Sequence, residues 1–293
     1  MKSIIKLAIY IIVVICVYIF KDNISTFIID DVVYRGSNKV LSYNEYYSDN
    51  NYNYVQNVST NEVNNKQEIL NMIYSIINSG DESFSFKCNY DKCVEDVKEM
   101  LKDEQTVATI NNFVHPYNSF YYIDIYVSEI GKITVTPKKI YSNEQIIEIN
   151  NYIDNFKSNN INNDMSDRDK IKVFHDFIIN NTIYDSSGNK ELFNAYTLIT
   201  TGKSICGGYS DIMSIYLNSL GIKNYKITSS NHVWNLVNID NTWLHLDATW
   251  DDPVASDGNQ YLLDNFFLIT TEELFKLDTV EHSFDRNIYS EAN

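Results

Sequence analysis

The sequence predicts an α+β fold, because a strongly periodic helix is followed directly by a β-hairpin. The helical pattern starts after Gly202 and stops at Gly221. Its apolar positions, which recur with a period of 3.6 residues, are Tyr209, Ile212, Met213, Tyr216, Leu217 and Leu220. The extended stretches 232–239 and 242–249 follow and are rich in Val, Ile, Leu and Trp. A helix beside an antiparallel hairpin is therefore the expected centre of the fold.

Cys206 lies in the first turn of this helix, with Ser204 as the expected N-cap. Unpaired N–H groups and the positive end of the helix dipole favour thiolate over thiol at this position. Gly207 and Gly208 follow, although a glycine inside a helix costs about 1 kcal/mol relative to alanine. Without side chains here, a substrate backbone is expected to approach the sulfur and local N–H groups to reach an oxyanion. Cys206 is thus the candidate nucleophile.

The hairpin is expected to bring a histidine and an aspartate together. Asp240-Asn241 suits a two-residue turn, which needs positive φ at both positions. With that turn, His232 and Asp247 lie diagonally on one face of the hairpin and within side-chain reach. A register slip of one residue would place them on opposite faces. The turn is therefore essential to pairing these two side chains.

These residues resemble the transglutaminase-like superfamily, and within it the bacterial and kyphoscoliosis-peptidase-like branch. The motifs that carry the resemblance are Cys206-Gly207-Gly208-Tyr209, His232-Val233-Trp234-Asn235 and Leu246-Asp247-Ala248-Thr249-Trp250. Further similarity is found at Phe174-His175-Asp176, Tyr184-Asp185, Ala195-Tyr196 and Phe266-Phe267-Leu268. The resemblance covers roughly residues 141–285, about half of the chain.

The resemblance implies a papain-like core, in which a cysteine-bearing helix packs on an antiparallel sheet that carries the histidine and the aspartate. It implies that Cys206 is the nucleophile, that His232 is the general base and acid, and that Asp247 orients the imidazole. A second oxyanion donor, beside the Cys206 backbone N–H, is not assigned. No cofactor or metal is expected, since the one CxxxxC pair lacks a second ligand pair and the chain has no HExxH.

Other histidines and aspartates are expected to be structural. His245 is the main rival base because it shares the hairpin face of Asp247, but it lies closer to the tip of the hairpin. His175 falls on the apolar side of another helix. Asp251 and Asp252 follow the strand and are expected to cap the next turn. The remaining histidines, His115 and His282, have no sequence context that suggests thiol chemistry.

The N-terminus predicts a membrane segment. Lys2 and Lys6 precede the unbroken apolar run 7–20, and Lys21-Asp22 follows it. No small-x-small cleavage site follows, which favours an uncleaved single-pass anchor with the rest of the chain outside the cytoplasm. Secretion after signal cleavage is the alternative.

The cysteines fit this location. Cys16 lies in the apolar run, and Cys88 and Cys93 form a close pair. Outside the cytoplasm the pair could form a disulfide between a strand at 83–87 and a helix at 94–101. The sequence would be the same if both cysteines were reduced structural thiols, so the disulfide and the reduced pair both remain possible interpretations.

Four segments are predicted along the chain. They are the anchor or signal (1–22), a polar spacer rich in Asn, Ser and Tyr (23–65), a small α+β domain (66–140) and the transglutaminase-like catalytic domain (141–285). The spacer is expected to hold the folded part away from the membrane.

The net charge of the chain limits which binding partners are expected. The formal net charge of −16 argues against nucleic acid and against docking on anionic lipid headgroups. The expected partners are a protein or peptide substrate, with cell-wall peptides as one candidate, and the membrane through the N-terminal segment. Hydrolysis of surface proteins or wall peptides is preferred on family analogy alone. A cross-linking transglutaminase and a non-catalytic peptide- or wall-binding module are the alternatives.

Overall fold

The computed structural model describes residues 18, 40–128, 131–254 and 261–292. Its α-helices between residues 40 and 292 are α1 (Lys66–Ser79), α2 (Cys93–Lys102), α3 (Glu104–Ile110), α4 (Asn143–Asn160), α5 (Asp167–Asn181), α6 (Ala195–Thr201), α7 (Cys206–Ser219) and α8 (Thr271–Leu277). Single 3-10 turns occur at Pro116–Asn118, Lys190–Leu192 and Ser290–Ala292.

The strands form sheets that are separate from the helices, which confirms the predicted α+β class. They are β1 (Glu62–Val63), β2 (Phe84–Cys88), β3 (Phe120–Val127), β4 (Lys132–Lys139), β5 (Ile183–Tyr184), β6 (Lys203–Ser204), β7 (Asn224–Thr228), β8 (Val233–Ile239), β9 (Thr242–Leu246) and β10 (Phe267–Ile269). The first sheet has the order β1-β2-β4-β3 and the second the order β10-β9-β8-β7, while β5 and β6 pair in parallel.

The predicted hairpin register is confirmed. Asp240 and Asn241 have φ values of 51° and 61°, as a two-residue turn of this kind requires. Ile239 therefore pairs with Thr242. Strand β9 ends one residue before Asp247, whose backbone N–H donates to the Phe266 carbonyl oxygen at 3.0 Å.

Cys206 lies in the first turn of α7, as predicted, but the N-cap of this helix differs from the expectation. The N-cap residue is Ile205, which provides no side-chain cap. The Ser204 hydroxyl donates instead to the Leu192 carbonyl oxygen at 3.0 Å, because Ser204 belongs to β6. Gly221, with φ of 72°, follows the helix end as expected.

The second sheet lies between two hydrophobic clusters. Side chains from alternate positions of a strand point to opposite faces of a sheet. Tyr225, Trp234 and Leu236 therefore join α1 and the first sheet in one cluster. Val237 and Leu246 join α4 to α7 in the other. Side chains of the predicted 66–140 and 141–285 domains thus share one cluster, and their independence stays a prediction.

The structure corrects the predicted spacer for residues 40–65. Leu41, Tyr52, Val55 and Val63 are buried in the first cluster. Asparagine side chains of α1 accept backbone N–H bonds from this segment, for example from Ser48 to the Asn78 side chain at 3.2 Å. The Asn-rich composition therefore satisfies the backbone of a packed segment. Residues 23–39 lie outside the described residues.

Cys88 and Cys93 form a disulfide that joins the end of β2 to the start of α2, with their Cα atoms 5.6 Å apart. Cys206 is a free thiol. None of the helices in the described part of the chain combines the length and the apolar character needed to cross a bilayer. The predicted membrane segment 1–22 lies outside the described residues apart from Tyr18.

Candidate active site

The structure brings Cys206, His232 and Asp247 together. Cys206 is partly exposed at the start of α7, and its side chain lies close enough to His232 to raise the pKa of that imidazole. His232 immediately precedes β8 and Asp247 immediately follows β9, so the hairpin places the two side by side. Since Nε2 of His232 lies 2.5 Å from Oδ2 of Asp247, the other ring nitrogen is the one available to the thiol.

The electrostatics of this pair favour an imidazolium beside a carboxylate. Burial alone would lower the pKa of His232, but the charge of Asp247 and hydrogen bonds to Asp247 and Cys206 raise it to about 10. Burial alone would raise the pKa of Asp247, and the two neighbouring histidines, chiefly His232, hold it well below its usual range. An imidazolium next to the sulfur stabilises a thiolate.

Asp247 is buried and all of its acceptor positions are used. Its Oδ1 accepts the backbone N–H groups of Thr249 at 2.9 Å and Trp250 at 3.2 Å. Its Oδ2 faces two histidine Nε2 atoms, His232 at 2.5 Å and His282 at 3.0 Å. This pattern fixes the plane of the carboxylate.

Sequence reasoning gave His282 no part in this site, and the structure corrects that. His282 is completely buried, with Nε2 on Asp247 and Nδ1 2.9 Å from Oδ2 of Asp278. The Asp278 and His282 spacing of four residues is visible in the sequence. The contact with Asp247 joins residues that are 35 positions apart in the sequence, and no local sequence pattern predicts it.

Aromatic rings enclose both histidines. The His232 ring stacks on Trp234 with centroids 5.6 Å apart. The His282 ring stacks on Phe266 at 5.1 Å and meets Trp250 edge-on at 4.8 Å. Such a low-polarity wall strengthens charge–charge interactions inside the site.

His245 is structural, as expected. Its Nδ1 accepts the indole N–H of Trp234 at 2.9 Å, so the neutral ring carries its proton on Nε2, which donates to the Thr271 hydroxyl at 2.9 Å. That hydroxyl in turn donates to the Ala292 carbonyl oxygen. Burial lowers the pKa of His245 to about 3. Both nitrogens are therefore occupied in a neutral ring.

His175 and Asp251 form a second buried pair. Nε2 of His175 lies 3.2 Å from Oδ2 of Asp251, and its Nδ1 lies 2.9 Å from Asp176. Oδ1 of Asp251 accepts the backbone N–H of Phe266 at 3.0 Å. Asp251 thus ties α5 to the segment before β10, where the sequence suggested a turn cap.

The last two alternatives also lie in structural contacts. Asp252 accepts the hydroxyl of Tyr209, and burial raises the pKa of Asp252 to about 6. His115 accepts the backbone N–H of Tyr117 at 3.1 Å, and burial lowers the pKa of His115 to about 3. Neither residue contacts the Cys206 and His232 pair in these interactions.

The two glycines after Cys206 serve packing. A Cβ on Gly207 would overlap the Phe193 carbonyl oxygen, and one on Gly208 would overlap the Ser204 hydroxyl. The chain before α6 therefore lies directly on the first turn of α7. The structure shows no space reserved for a substrate backbone at these two positions, which differs from the expectation.

Tyr184 is an additional polar group near the sulfur. It is partly buried in β5, beside Ser204 of β6. Burial raises the pKa of Tyr184, and the charge of Cys206 raises it further. Sequence reasoning assigned Tyr184 no role beside the sulfur.

His232, Asp247 and His282 are the described residues whose ligand atoms lie close enough to share a metal ion, within 4.8 Å of one another. Both Nε2 atoms are directed at the same oxygen of Asp247. This is the geometry of two hydrogen-bond donors on one acceptor, since ligands of a metal ion surround the ion instead. The donor set therefore fits a hydrogen-bonded relay.

Comparison with known protein families finds a match for one segment of the chain. Residues 154–248 match the family model of the Transglutaminase-like superfamily, which confirms the predicted resemblance to that superfamily. The matched range contains Cys206, His232 and Asp247. No curated protein sequence matches the chain.

Similar solved structures include a TGase, with 16% identity, a TM-score of 0.33 and coverage of 48% of either chain. A "Putative Cysteine Protease from Cytophaga hutchinsonii" has 12% identity and a TM-score of 0.29, covering 48% of this chain and 65% of that one. Menin, with its binding site for Mixed Lineage Leukemia protein, has 14% identity and a TM-score of 0.32, covering 58% and 36%. The chain spans less than two thirds of each of these structures.

Proposed function

We propose that this protein is a transglutaminase-like cysteine enzyme that hydrolyses peptide or amide bonds. Cys206 is the nucleophile, His232 the general base and acid, and Asp247 the residue that orients the imidazole. One observation carries the proposal: His232 lies between a free thiol at a helix start and a buried carboxylate 2.5 Å away.

The arrangement supports the following sequence of steps. The Cys206 thiolate attacks the carbonyl carbon of the scissile amide, and the carbonyl oxygen becomes an oxyanion near the N–H groups of the first turn of α7. The His232 imidazolium donates its proton to the departing amine, the C–N bond breaks and a thioester remains. His232 then accepts a proton from the water that attacks the thioester, the C–S bond breaks, and the acid product leaves as the Cys206 thiolate and the His232 imidazolium are restored.

The proposed substrates are surface proteins or wall peptides outside the cytoplasm. The Cys88–Cys93 disulfide supports this location, because disulfides persist in oxidising compartments. The apolar run 7–20 supports attachment to the membrane through the N-terminus. The net charge of −16 disfavours nucleic acid as a partner.

An acyl-electrophile activity probe tests the proposal directly. The wild-type protein should be labelled on Cys206, and Cys206→Ser and His232→Ala should not be. His245→Ala is the matched control, since that histidine is also buried on the hairpin but contacts Trp234 and Thr271. Absence of labelling in folded wild-type protein would favour a non-catalytic binding module.

The acyl acceptor needs a separate assay. The enzyme is incubated with glutamine-containing peptides and a fluorescent primary amine, and the products are identified by mass spectrometry. We expect new termini or released ammonia without amine incorporation. Incorporation of the amine that depends on Cys206 would identify a transglutaminase instead.

A further inference from the structure

The hydrogen bonds of the site extend beyond the three residues proposed for catalysis. From Cys206 the contacts run through His232 and Asp247 to His282, and end at Asp278. Asp278 is itself held in place, because its carboxylate accepts the backbone N–H groups of the turn before His282. The relay therefore begins at the thiol and ends at an anchored carboxylate.

Each ring nitrogen of His282 faces a carboxylate. Ionised carboxylates only accept hydrogen bonds. The pKa of Asp247 is held below its usual range by the histidines, against the effect of burial, and the pKa of Asp278 is also lowered, against burial, by hydrogen bonds from His282. Nε2 of His282 is thereby placed to donate to Oδ2 of Asp247.

The contacts of Asp247 show what this donor adds. Oδ1 is held by two backbone N–H groups, while the partners of Oδ2 in the described part of the chain are His232 and His282. Because His232 has to exchange protons during the reaction, its own bond to Oδ2 changes strength. His282 is the partner of Oδ2 that does not face the sulfur.

We propose that His282 is a positioning residue, which holds Oδ2 of Asp247 toward His232 and is itself held by Asp278. The assignment rests on the proposed function, since Asp247 acts through His232 in that mechanism. It adds a fourth and a fifth residue to the machinery without giving either a direct contact with substrate.

Packing is the competing explanation for His282. Its ring fits among Trp234, Trp250 and Phe266, with centroid distances of 4.9, 4.8 and 5.1 Å. A phenylalanine would keep these ring contacts and lose the donor. A glutamine would lose the ring and keep an N–H near the position of Nε2. The two substitutions therefore separate the two roles.

The experiment compares His282→Phe and His282→Gln by the pH dependence of Cys206 alkylation with iodoacetamide, which needs no substrate. Loss of the donor should weaken the hold of Asp247 on His232, so Cys206 in His282→Phe should be alkylated about 10-fold more slowly than in the wild type below neutral pH. The alkylation rate of His282→Gln should stay within about 3-fold of the wild-type rate. The opposite order, or two unchanged profiles, would overturn the proposal in favour of packing.

A further variant covers the case in which both substitutions unfold the protein. Asp278→Asn keeps the side-chain oxygen that caps the turn and removes the charge that holds His282. It should give a smaller shift in the same direction, of roughly 3-fold. An unchanged profile for Asp278→Asn overturns the proposal. Failure of the proposed function would look different. The variants would then show these changes in alkylation, but the wild-type protein would hydrolyse no amide.

Discussion

A Cβ atom on Gly207 would overlap the carbonyl oxygen of Phe193, so the chain before α6 rests directly on the backbone beside the nucleophile. The overlapping atom belongs to the backbone, which cannot rotate away as a flexible side chain would. Absence of a side chain at Gly207 is therefore a requirement of packing, and it fixes where the first turn of α7 lies.

Gly207→Ala should destabilise the protein. Overpacking of this kind costs about 1–3 kcal/mol, which exceeds the gain of about 1 kcal/mol in helix propensity. Denaturant unfolding measures the change, and labelling of Cys206 should slow as the first turn shifts. Gly188→Ala measures the cost of backbone strain without overlap, because a Cβ there meets nothing within 4 Å while an alanine at its φ of 80° is strained. A stability equal to that of the wild type would contradict the packing role.

Cys206→Ala and Cys206→Ser should abolish catalysis while the fold persists. The side chain is partly exposed, and a small replacement at such a site should change the free energy of unfolding by less than about 1 kcal/mol. Activity and denaturation midpoints are measured on the same preparations. Full turnover by either variant would remove Cys206 from the role of nucleophile.

The sequence predicts those parts of the site that depend on residues close together in the chain. Asp240-Asn241 determines the turn, the turn determines the register, and the register pairs His232 with Asp247. The start of α7 follows from its periodic apolar residues. These features need no knowledge of distant parts of the chain.

Features that depend on distant contacts were not predictable from one sequence. His282 reaches Asp247 only because the segment after α8 folds back over the second sheet. Ser204 does not cap α7, because it lies in β6, which pairs with β5. Its hydroxyl donates to the Leu192 carbonyl oxygen instead. Residues 40–65 lack aliphatic periodicity. They nevertheless pack on the core, where asparagine side chains of α1 accept hydrogen bonds from their backbone N–H groups.

The base assignment predicts the pattern of low-pH alkylation. If a thiolate and imidazolium pair forms, iodoacetamide should modify Cys206 well below the usual thiol pKa of about 8.5. His232→Ala should lose this reactivity, whereas His245→Ala and His175→Ala should keep it. Loss of reactivity in His245→Ala with an unchanged circular dichroism spectrum would require a different base.

The proposed location predicts accessibility from outside the cell. Protease added to intact cells should digest residues 23–293, and the undigested protein should stay with membranes after a high-salt wash. Fractionation and immunodetection of the C-terminus measure both. A mature chain in the medium that begins near Ser25 would show that the N-terminal segment is a cleaved signal.

The site also predicts how stability depends on pH. The pKa of His232 is about 10 in the folded protein, and that of an unfolded histidine is about 6.5. Because the folded value is the higher one, the imidazolium contributes stability that is fully present below about pH 6.5 and lost as the pH rises through about 10. The pKa of Asp247 is lowered, so its contribution is present above about pH 4 and lost as the pH falls.

Unfolding free energies at about pH 6, 8 and 10 test this sign, because the range runs from just below the unfolded histidine pKa of about 6.5 up to the folded pKa of about 10. Cys206→Ser serves as background, so that no active-site thiol contributes to the pH dependence, and it is compared with Cys206→Ser combined with His232→Gln. The chain that keeps His232 should lose more free energy between pH 6 and 10, by on the order of a few kcal/mol. Titration of Asp252 and of the tyrosines is common to both chains and cancels in the comparison. Parallel curves would mean that the His232 and Asp247 pair is not an ion pair in the folded protein.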